Sequence, residues 1–293
     1  MSGLKKIIFI FRDTLLLLIL FFFKVIENIF NKQYKKDKNI KFKKKSLIIG
    51  NGPSFKKDFK KVLEQKNDSD IYVLNYFATT EYFSKLEPNF YFLNDPMFWK
   101  DNVSNDVKAD NEILFSNLKK VTWKMVIICR KEGYKVINNK FKDCQNLKVI
   151  SQKSLPIKFK NINLRLFSLK NQLSTPNFNN GLCFSLWYCL KNENKRIYLY
   201  GFDFTYNLYE VDQKTNKVIQ NGCHFYKDTK AQSNPNNKYK IPKNKMMHAK
   251  LFCSWLSFYE AYVLSLLAKS MKSKIVNYTS DSYLDCFDRP NFN

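Results

Sequence analysis

The sequence SLIIGNGPSF, at residues 46–55, predicts a buried strand that breaks into a glycine turn and continues as a helix. Gly50 and Gly52 permit backbone angles that other residues avoid, and they let a ligand approach the main chain closely. Pro53 fits the first turn of a helix and Ser54 is a favoured helix cap, so the first N–H groups of the helix can face an anion. This segment therefore predicts a phosphate-binding corner of an open α/β sheet.

The spacing of the glycines excludes two common nucleotide sites. The turn matches neither G-x-G-x-x-G nor G-x-x-x-x-G-K-[ST], so it indicates neither a dinucleotide fingerprint nor a P-loop. No serine stands in a G-x-S-x-G pattern, which excludes the nucleophile elbow of a hydrolase. The turn therefore predicts a nucleotide site of another kind.

From residue 46 onward, short apolar runs alternate with helical patterns. The runs are apolar along their length, which is typical of strands buried on both faces of a sheet. We therefore expect an α/β domain with a doubly wound, mostly parallel, Rossmann-like sheet. The predicted strands are 46–49, 71–75, 90–93, 125–129, 147–150, 196–200 and 274–278, and the predicted helices are 54–63, 81–86, 182–190 and 246–271. In the last helix, a stripe expected to face the core consists of Leu251, Trp255, Phe258, Tyr262 and Leu266.

Three regions are expected along the chain: a hydrophobic helix at 1–30, a polybasic linker at 31–45 and the α/β domain at 46–293. The uninterrupted apolar core, at 15–23, is shorter than the roughly 20 residues that span a bilayer. The linker carries eight lysines against one aspartate, and such segments are attracted to anionic headgroups. We expect a membrane anchor, spanning or lying on the surface, that holds the domain at the cytoplasmic face of the inner membrane. The alternative is a buried helix of the soluble domain.

The formal net charge of +25 raises the question of a nucleic-acid partner. The excess is lysine scattered along the chain, and no nucleic-acid-binding motif accompanies it. The sequence therefore predicts no nucleic-acid partner and favours anionic lipid or a phosphorylated substrate. The seven cysteines form no C-x-x-C pair, which excludes a regular zinc or disulfide framework and fits a reducing cytosol.

Polar residues follow the predicted strands, at the sheet edge where ligands bind in such folds. Asparagine suits the ribose and phosphate of a nucleotide because an amide both donates and accepts hydrogen bonds. We therefore expect a nucleotide site at this edge. Its candidate residues are Gly50, Asn51, Gly52, Pro53, Ser54, Asn75, Asn94, Asp95, Asn180, Gly181 and Asp203.

Metal binding is not expected. Asp68 and Asp70 form the D-x-D pattern of metal-dependent glycosyltransferases, but they precede their strand and so fall at the opposite edge of the sheet. The two histidines of the chain cannot make a metal site without carboxylate ligands. The sequence therefore predicts neither a metal nor a cofactor.

Both histidines are candidates for a general base, since imidazole titrates near neutral pH. His224 lies in the polar segment 206–245, which we expect to be a structureless lid over the site. His248 lies at the start of the long last helix.

Taken in order, these motifs resemble those of the bacterial lipooligosaccharide sialyltransferases, and of the wider clan of motility-associated-factor and pterin-pyrophosphokinase-like proteins. The motifs are GNGPS at 50–54, Asn75, NDP at 94–96, Asn180-Gly181 and YLYGFDF at 198–204. The resemblance implies a variant of the GT-A glycosyltransferase fold and a metal-independent reaction. In that reaction a nonulosonic-acid-type sugar would pass from a CMP donor to a lipooligosaccharide or capsule glycan.

The resemblance also implies roles for individual residues. Asn51, Asn75 and Asn94 would hold the nucleotide. Tyr206 and Tyr209 would stabilise the departing phosphate, and His248 would act as the base, with His224 as its rival.

Two other functions stay open on the sequence. One is a Mg²⁺-dependent pyrophosphokinase of the same clan, which needs carboxylates clustered at strand ends, where Asp95 and Asp203 are the obvious ones. The other is a non-catalytic membrane-bound scaffold. The oligomeric state is also left open.

Overall fold

The structure is a computed structural model, and it describes residues 3–30, 40–205, 208–214, 216–220 and 246–290. Seven strands form one parallel sheet in the order β5-β4-β3-β2-β1-β6-β9, and two more form an antiparallel hairpin. The strands are β1 Lys45–Ile49, β2 Asp70–Leu74, β3 Phe90–Leu93, β4 Met125–Arg130, β5 Leu147–Gln152, β6 Arg196–Tyr200, β7 Tyr209–Asp212, β8 Lys217–Gln220 and β9 Lys274–Asn277.

Eight α-helices lie within the described residues. The helices are α1 Gly3–Phe30, α2 Phe55–Glu64, α3 Tyr82–Leu86, α4 Asn105–Lys119, α5 Tyr134–Phe141, α6 Ile162–Lys170, α7 Gly181–Lys191 and α8 Met247–Ser270.

The strand order reverses at β1, which lies between β2 and β6. Each neighbouring pair in the sheet is parallel, as in the registers Leu47 with Ile71 and Leu47 with Tyr198. The predicted doubly wound α/β fold is therefore confirmed, and the seven predicted strands agree with the observed ones to within two residues at each end.

Each face of the sheet is covered by its own layer of helices. Leu47 and Ile49 pack with residues of α2, α3, α4 and α5 on one face. Ile48 and Leu199 pack with α6, α7 and α8 on the other. Because successive strand residues point to opposite faces, burial on both faces requires apolar residues throughout each strand.

Three helices and the hairpin were not predicted from the sequence. The helices α4 and α6 are weakly amphipathic, and α5 has only eight residues. The hairpin β7–β8 lies within 206–245, so residues 209–220 are not structureless, contrary to our expectation for this segment. The rest of the segment, including 221–245, lies outside the described residues.

The stripe predicted to face the core from α8 is wrong. Leu251, Trp255 and Tyr262 are exposed, whereas small residues such as Ser257 and Ala261 are buried. The helix is apolar on most sides, so its periodicity does not indicate which face is buried, and small side chains allow a close approach to the neighbouring helix α7. Among the described helices, α8 is long and apolar enough to cross a membrane, but half of that stretch is buried in the domain.

The N-terminal helix α1 is docked on the α/β domain. Leu16, Leu17 and Leu20 pack in a small cluster with residues of α6 and of the chain on either side of it. Asp13 is fully buried, and its Oδ2 accepts hydrogen bonds from the N–H groups of Lys160 and Asn161, each at 2.7 Å. Asp13 therefore holds the chain just before α6, whose own N-cap is Asn161, from a distant part of the sequence.

The carboxyl group of Asp13 is held in its charged form. Burial alone would raise its pKa, but hydrogen bonds from Asn161, Arg12 and Lys160 bring the pKa below its ordinary value. A carboxyl group whose pKa is lowered by folding stabilises the folded state above its unfolded pKa. That contribution disappears as the pH falls through the folded pKa.

We expect Asp13→Ala to lower the free energy of unfolding by about 1–3 kcal/mol at pH 7, because two buried N–H groups lose their acceptor. The difference from the wild type should shrink as the pH falls below about 4. Urea unfolding at pH 7 and pH 3 measures both effects. Arg12→Ala is the matched control, since it removes the exposed partner and leaves the two backbone hydrogen bonds to Asp13, and it should cost at most about 1 kcal/mol. Equal losses for the two variants would show that these two hydrogen bonds contribute nothing.

Candidate functional site

The turns that follow β1 and β6 pack backbone against backbone at the carboxyl edge of the sheet. Gly50 N–H donates to the Tyr200 carbonyl at 2.7 Å, and Gly52 N–H donates to the Gly201 carbonyl at 2.8 Å. A Cβ atom on Gly50 would lie 2.4 Å from the carbonyl oxygen of Gly201, which itself has φ +66°. Glycine is required at these positions because no side chain fits between the two turns.

Asp203 binds the start of α2. Its Oδ1 accepts from Ser54 N–H at 3.1 Å, and its Oδ2 accepts from Ser54 Oγ at 2.7 Å. Burial raises the pKa of Asp203, while the two hydrogen bonds from Ser54 act in the opposite direction. A Cβ atom on Gly52 would lie 1.7 Å from Asp203 Oδ2, so the carboxylate occupies the space that this glycine leaves open.

This arrangement corrects the expected role of the first turn of α2. Ser54 N–H is taken by Asp203, and Phe55 N–H donates to the Gly52 carbonyl at 3.1 Å. A buried carboxylate at this position repels a second anion instead of leaving the N–H groups to a phosphate. Gly50, Gly52, Ser54 and Asp203 therefore hold the corner together rather than offering free donors to a ligand.

The C-terminal residues brace the Asp203 turn from the other side. Phe202 N–H donates to Thr279 Oγ1 at 3.0 Å, and Ser282 Oγ donates to the Phe202 carbonyl at 2.6 Å. Tyr283 N–H donates to the Asp203 carbonyl at 2.9 Å. The position of Asp203 is thus fixed by the chain that follows β9.

Two asparagine side chains at neighbouring strand ends carry buried oxygen atoms without a partner. Asn51 is 6% exposed, and its Nδ2 donates to the Leu74 carbonyl at 3.2 Å. Asn75 directly follows β2 and has φ +50°, a conformation that asparagine tolerates better than most residues. Among the described residues, neither Asn51 Oδ1 nor Asn75 Oδ1 has a hydrogen-bond partner.

Asn94 holds an arginine at the next strand end. Its Oδ1 accepts from Arg130 Nε at 2.8 Å, and its Nδ2 donates to the Phe178 carbonyl at 3.3 Å. Arg130 Nη2 donates to the same carbonyl. Burial lowers the pKa of Arg130, while the charges of Glu132 and Asp95 raise it, and a guanidinium stays charged in proteins.

Arg130 was missed in the sequence analysis. It ends β4, and the rule that placed Asn51, Asn75 and Asn94 at strand ends applies to it as well. The predicted strand stopped at residue 129, one residue short of the arginine.

The loop 178–181 closes the site above β2 and β3. Asn180 Oδ1 caps α7 by accepting from Cys183 N–H at 2.8 Å. A Cβ atom on Gly181 would meet Leu74 Cδ1 at 3.0 Å, so α7 starts directly beside the end of β2. The amide of Asn179 lies 2.8 Å from Ser257 Oγ, which connects the loop to α8. The structure thus brings Asn180 and Gly181 to the strand-end asparagines, as expected.

The remaining predicted residues are placed less closely. Asp95 is exposed, and its Oδ1 accepts from Met97 N–H at 3.2 Å. Tyr209 starts β7, with its hydroxyl 3.0 Å from Ser254 Oγ on α8. His248 is exposed in the first turn of α8, nine residues before Ser257, which is about 13 Å along a helix axis.

Two candidates lie outside the described residues, namely Tyr206 and His224. Pro53 is exposed beside the turn. Asp70 begins β2, at the opposite edge of the sheet, and accepts from Lys43 N–H at 2.7 Å. Within the described part of the chain, no three His, Cys, Asp or Glu side chains meet in a way that could hold a metal ion.

No protein-family model and no curated protein matches this sequence. The solved structures similar to it include the "Structure of MAf glycosyltransferase from Magnetospirillum magneticum AMB-1", at 10% sequence identity and a TM-score of 0.48. The similarity covers 86% of this chain and 34% of that one, so the chain spans about a third of the length of that protein. At this identity and TM-score, the similarity assigns no activity and no residue role to this chain.

We expect Gly52→Ala to lower the free energy of unfolding by about 1–3 kcal/mol, because the new methyl group would overlap the Asp203 carboxylate. Gly181→Ala is the matched control. There the methyl group meets one flexible leucine side chain at 3.0 Å, so the cost should stay below about 1 kcal/mol. Urea unfolding of the three proteins measures the difference. A loss as large for Gly181→Ala as for Gly52→Ala would contradict the tight contact with Asp203.

Proposed function

We propose that this protein is a glycosyltransferase that binds a nucleotide-activated sugar at the carboxyl edge of the sheet. The two unpartnered oxygens of Asn51 and Asn75 carry the proposal. A buried acceptor without a donor costs about 1–3 kcal/mol, so a ligand that supplies donors is favoured here. Neighbouring strands lie about 4.8 Å apart, and paired donors such as ribose hydroxyls or a base amino group suit that spacing.

Arg130 provides the charge that a nucleotide phosphate requires. Its Nε and Nη2 bind Asn94 and the Phe178 carbonyl, while Nη1 makes no hydrogen bond to the described residues. A guanidinium fixed by two hydrogen bonds is a preorganised phosphate ligand. We therefore assign the phosphate to Arg130 instead of to the start of α2, where the carboxylate of Asp203 already lies.

The finer identity of the reaction follows from the resemblance of the motifs. We propose CMP as the nucleotide, a nonulosonic-acid-type sugar, and a lipooligosaccharide or capsule glycan as acceptor. The acceptor hydroxyl would attack the anomeric carbon, the bond from that carbon to the phosphate oxygen would break, and CMP would leave with the electron pair. The hydroxyl proton would pass to a histidine, either His248 or His224.

Tyrosine hydroxyls and Arg130 would stabilise the leaving phosphate without a metal. Of the two candidate tyrosines, Tyr209 lies within the described residues, and its hydroxyl is 3.0 Å from Ser254 Oγ on α8. Tyr206 is the second candidate from the sequence.

The alternatives receive less support from the site. A pyrophosphokinase would need free carboxylates for Mg²⁺, but both oxygens of Asp203 bind Ser54, and Asp95 binds a turn N–H. A scaffold without a ligand is less favoured because, of the five buried side-chain oxygens without a partner among the described residues, two belong to Asn51 and Asn75 at neighbouring strand ends. The similar solved structure is that of a glycosyltransferase, but the proposal for this chain depends on the unpartnered oxygens of Asn51 and Asn75.

Nucleotide binding tests the site directly. We expect CMP to raise the melting temperature more than UDP, GDP or ADP does. Asn51→Ala and Asn75→Gly should each weaken CMP binding about tenfold, because each removes an acceptor of a ligand hydrogen bond. Glycine is the substitution of choice at 75, since it keeps the positive φ. Asn146→Ala is the control, because Asn146 lies at the opposite edge and bonds the Val121 carbonyl. Unchanged affinity in both site variants would refute the proposed nucleotide site.

The reaction itself is tested by transfer assays in EDTA. We expect turnover to persist in EDTA, and an absolute requirement for Mg²⁺ would overturn the metal-independent mechanism. His248→Ala and His224→Ala, assayed separately, should leave CMP binding intact, and one of them should lower transfer by about 10²–10⁴-fold, the usual contribution of a general base. Full activity in both variants would exclude a histidine base.

A further inference from the structure

The helix α1 has two faces of different character. The outer face of α1, defined by Phe11, Leu15, Leu18 and Phe22, is 51–72% exposed. These residues recur at steps of three and four, so they share one side of the helix. The opposite side carries the residues that contact the domain, which are Asp13, Leu16, Leu17, Leu20, Lys24 and Glu27.

The contacts of the inner side fix α1 to the domain over most of its length. Asp13 accepts from the N–H groups just before α6, and Lys24 Nζ donates to the carbonyls of Asn171 and Gln172 just beyond the end of α6, at 2.6 and 3.2 Å. Glu27 pairs with Lys153 at 3.0 Å. The helix therefore lies alongside α6 and in the same direction, with its middle and C-terminal half attached to the protein.

We propose that the outer face of α1 is a membrane-binding surface that lies in the plane of the bilayer interface. A helix of 28 residues is about 42 Å long and could span the roughly 30 Å hydrocarbon core by length alone. Spanning would carry α6 and the charged residues bound to α1 into the lipid. The in-plane position keeps these contacts and buries only the apolar outer face.

Charge favours anionic lipid over a second copy of the chain as the partner of this face. The fifteen residues after α1, at 31–45, contain eight lysines and one aspartate, and the whole chain has a net charge of +25. Such a segment attracts anionic headgroups at about 1 kcal/mol per basic residue. Two copies that met through this face would instead bring two strongly positive chains together.

Vesicle flotation of the full chain tests the surface. We expect binding to vesicles of mixed anionic and zwitterionic lipid, and much weaker binding to purely zwitterionic vesicles. The triple variant Phe11→Gln, Leu18→Gln, Phe22→Gln should bind at least about a hundredfold more weakly, because three buried apolar side chains are lost. The matched control is Leu63→Gln, Ile113→Gln, Val136→Gln, which changes three exposed apolar residues on helices of the opposite layer. It should bind as the wild type does, and an equal loss would refute a specific surface on α1.

The orientation of α1 needs a second measurement. A fluorescent amino acid placed in turn at positions 11, 18 and 22 reports depth through quenching by brominated lipids. In-plane binding gives one shallow depth of about 5–10 Å at all three positions. A spanning helix gives depths that differ by about 16 Å between positions 11 and 22, and that result would overturn the proposal.

Sedimentation without lipid tests whether the outer face of α1 is an interface between two copies of the chain. If the triple variant on α1 turned a stable dimer into a monomer and still bound vesicles, the outer face would be an interface between copies. That outcome would also overturn the proposal. We expect no change in oligomeric state between the wild type and the variant.

Discussion

The contact between the turn after β1 and the turn after β6 determines the geometry of this molecule's candidate site. Gly50, Gly52 and Gly201 allow the two main chains to touch where the strand order reverses. Asp203 then fastens the start of α2 through Ser54. Because the carboxylate occupies the helix start, the groups that we propose for the ligand lie at other strand ends, at Asn75 after β2 and at Arg130 at the end of β4. The contact between the two turns also positions Asn51, whose Nδ2 donates to the Leu74 carbonyl at the end of β2.

Much of the fold could be predicted from the sequence, because strands buried on both faces need unbroken apolar runs. All seven strands of the sheet were found for this reason. The helices α4 and α6 were missed because they combine polar and apolar residues without a clear period, and α5 because it is only eight residues long. The buried face of α8 was predicted wrongly. The helix is apolar on most sides, so its sequence does not indicate which side is buried. In the structure Ser257 and Ala261 are buried, whereas Trp255 is exposed.

The position of the strand-end asparagines was predictable, but Arg130 and the contacts of these residues were not. The topology of a parallel sheet places Asn51, Asn75 and Asn94 at one edge, and Asn180 caps α7, which starts beside the end of β2. Pairing between distant residues cannot be read from spacing, so the sequence did not show that Asp203 takes the N–H group expected for a phosphate. The same limit applies to Asn94, whose amide holds Arg130, and to Asp13, whose partners are 147 and 148 residues away.

The separation between α1 and its docking partners has a consequence for synthesis of the chain. Asp13 leaves the ribosome 148 residues before Asn161 does. At typical elongation rates of about 5–20 residues per second, roughly 7–30 s pass between the synthesis of Asp13 and that of its partner residues at the start of α6. During that interval both faces of α1 are without protein partners, and an apolar helix in water is prone to aggregate. A nearby bilayer is one apolar surface that can receive it, so the membrane binding that we propose for α1 would precede folding of the domain.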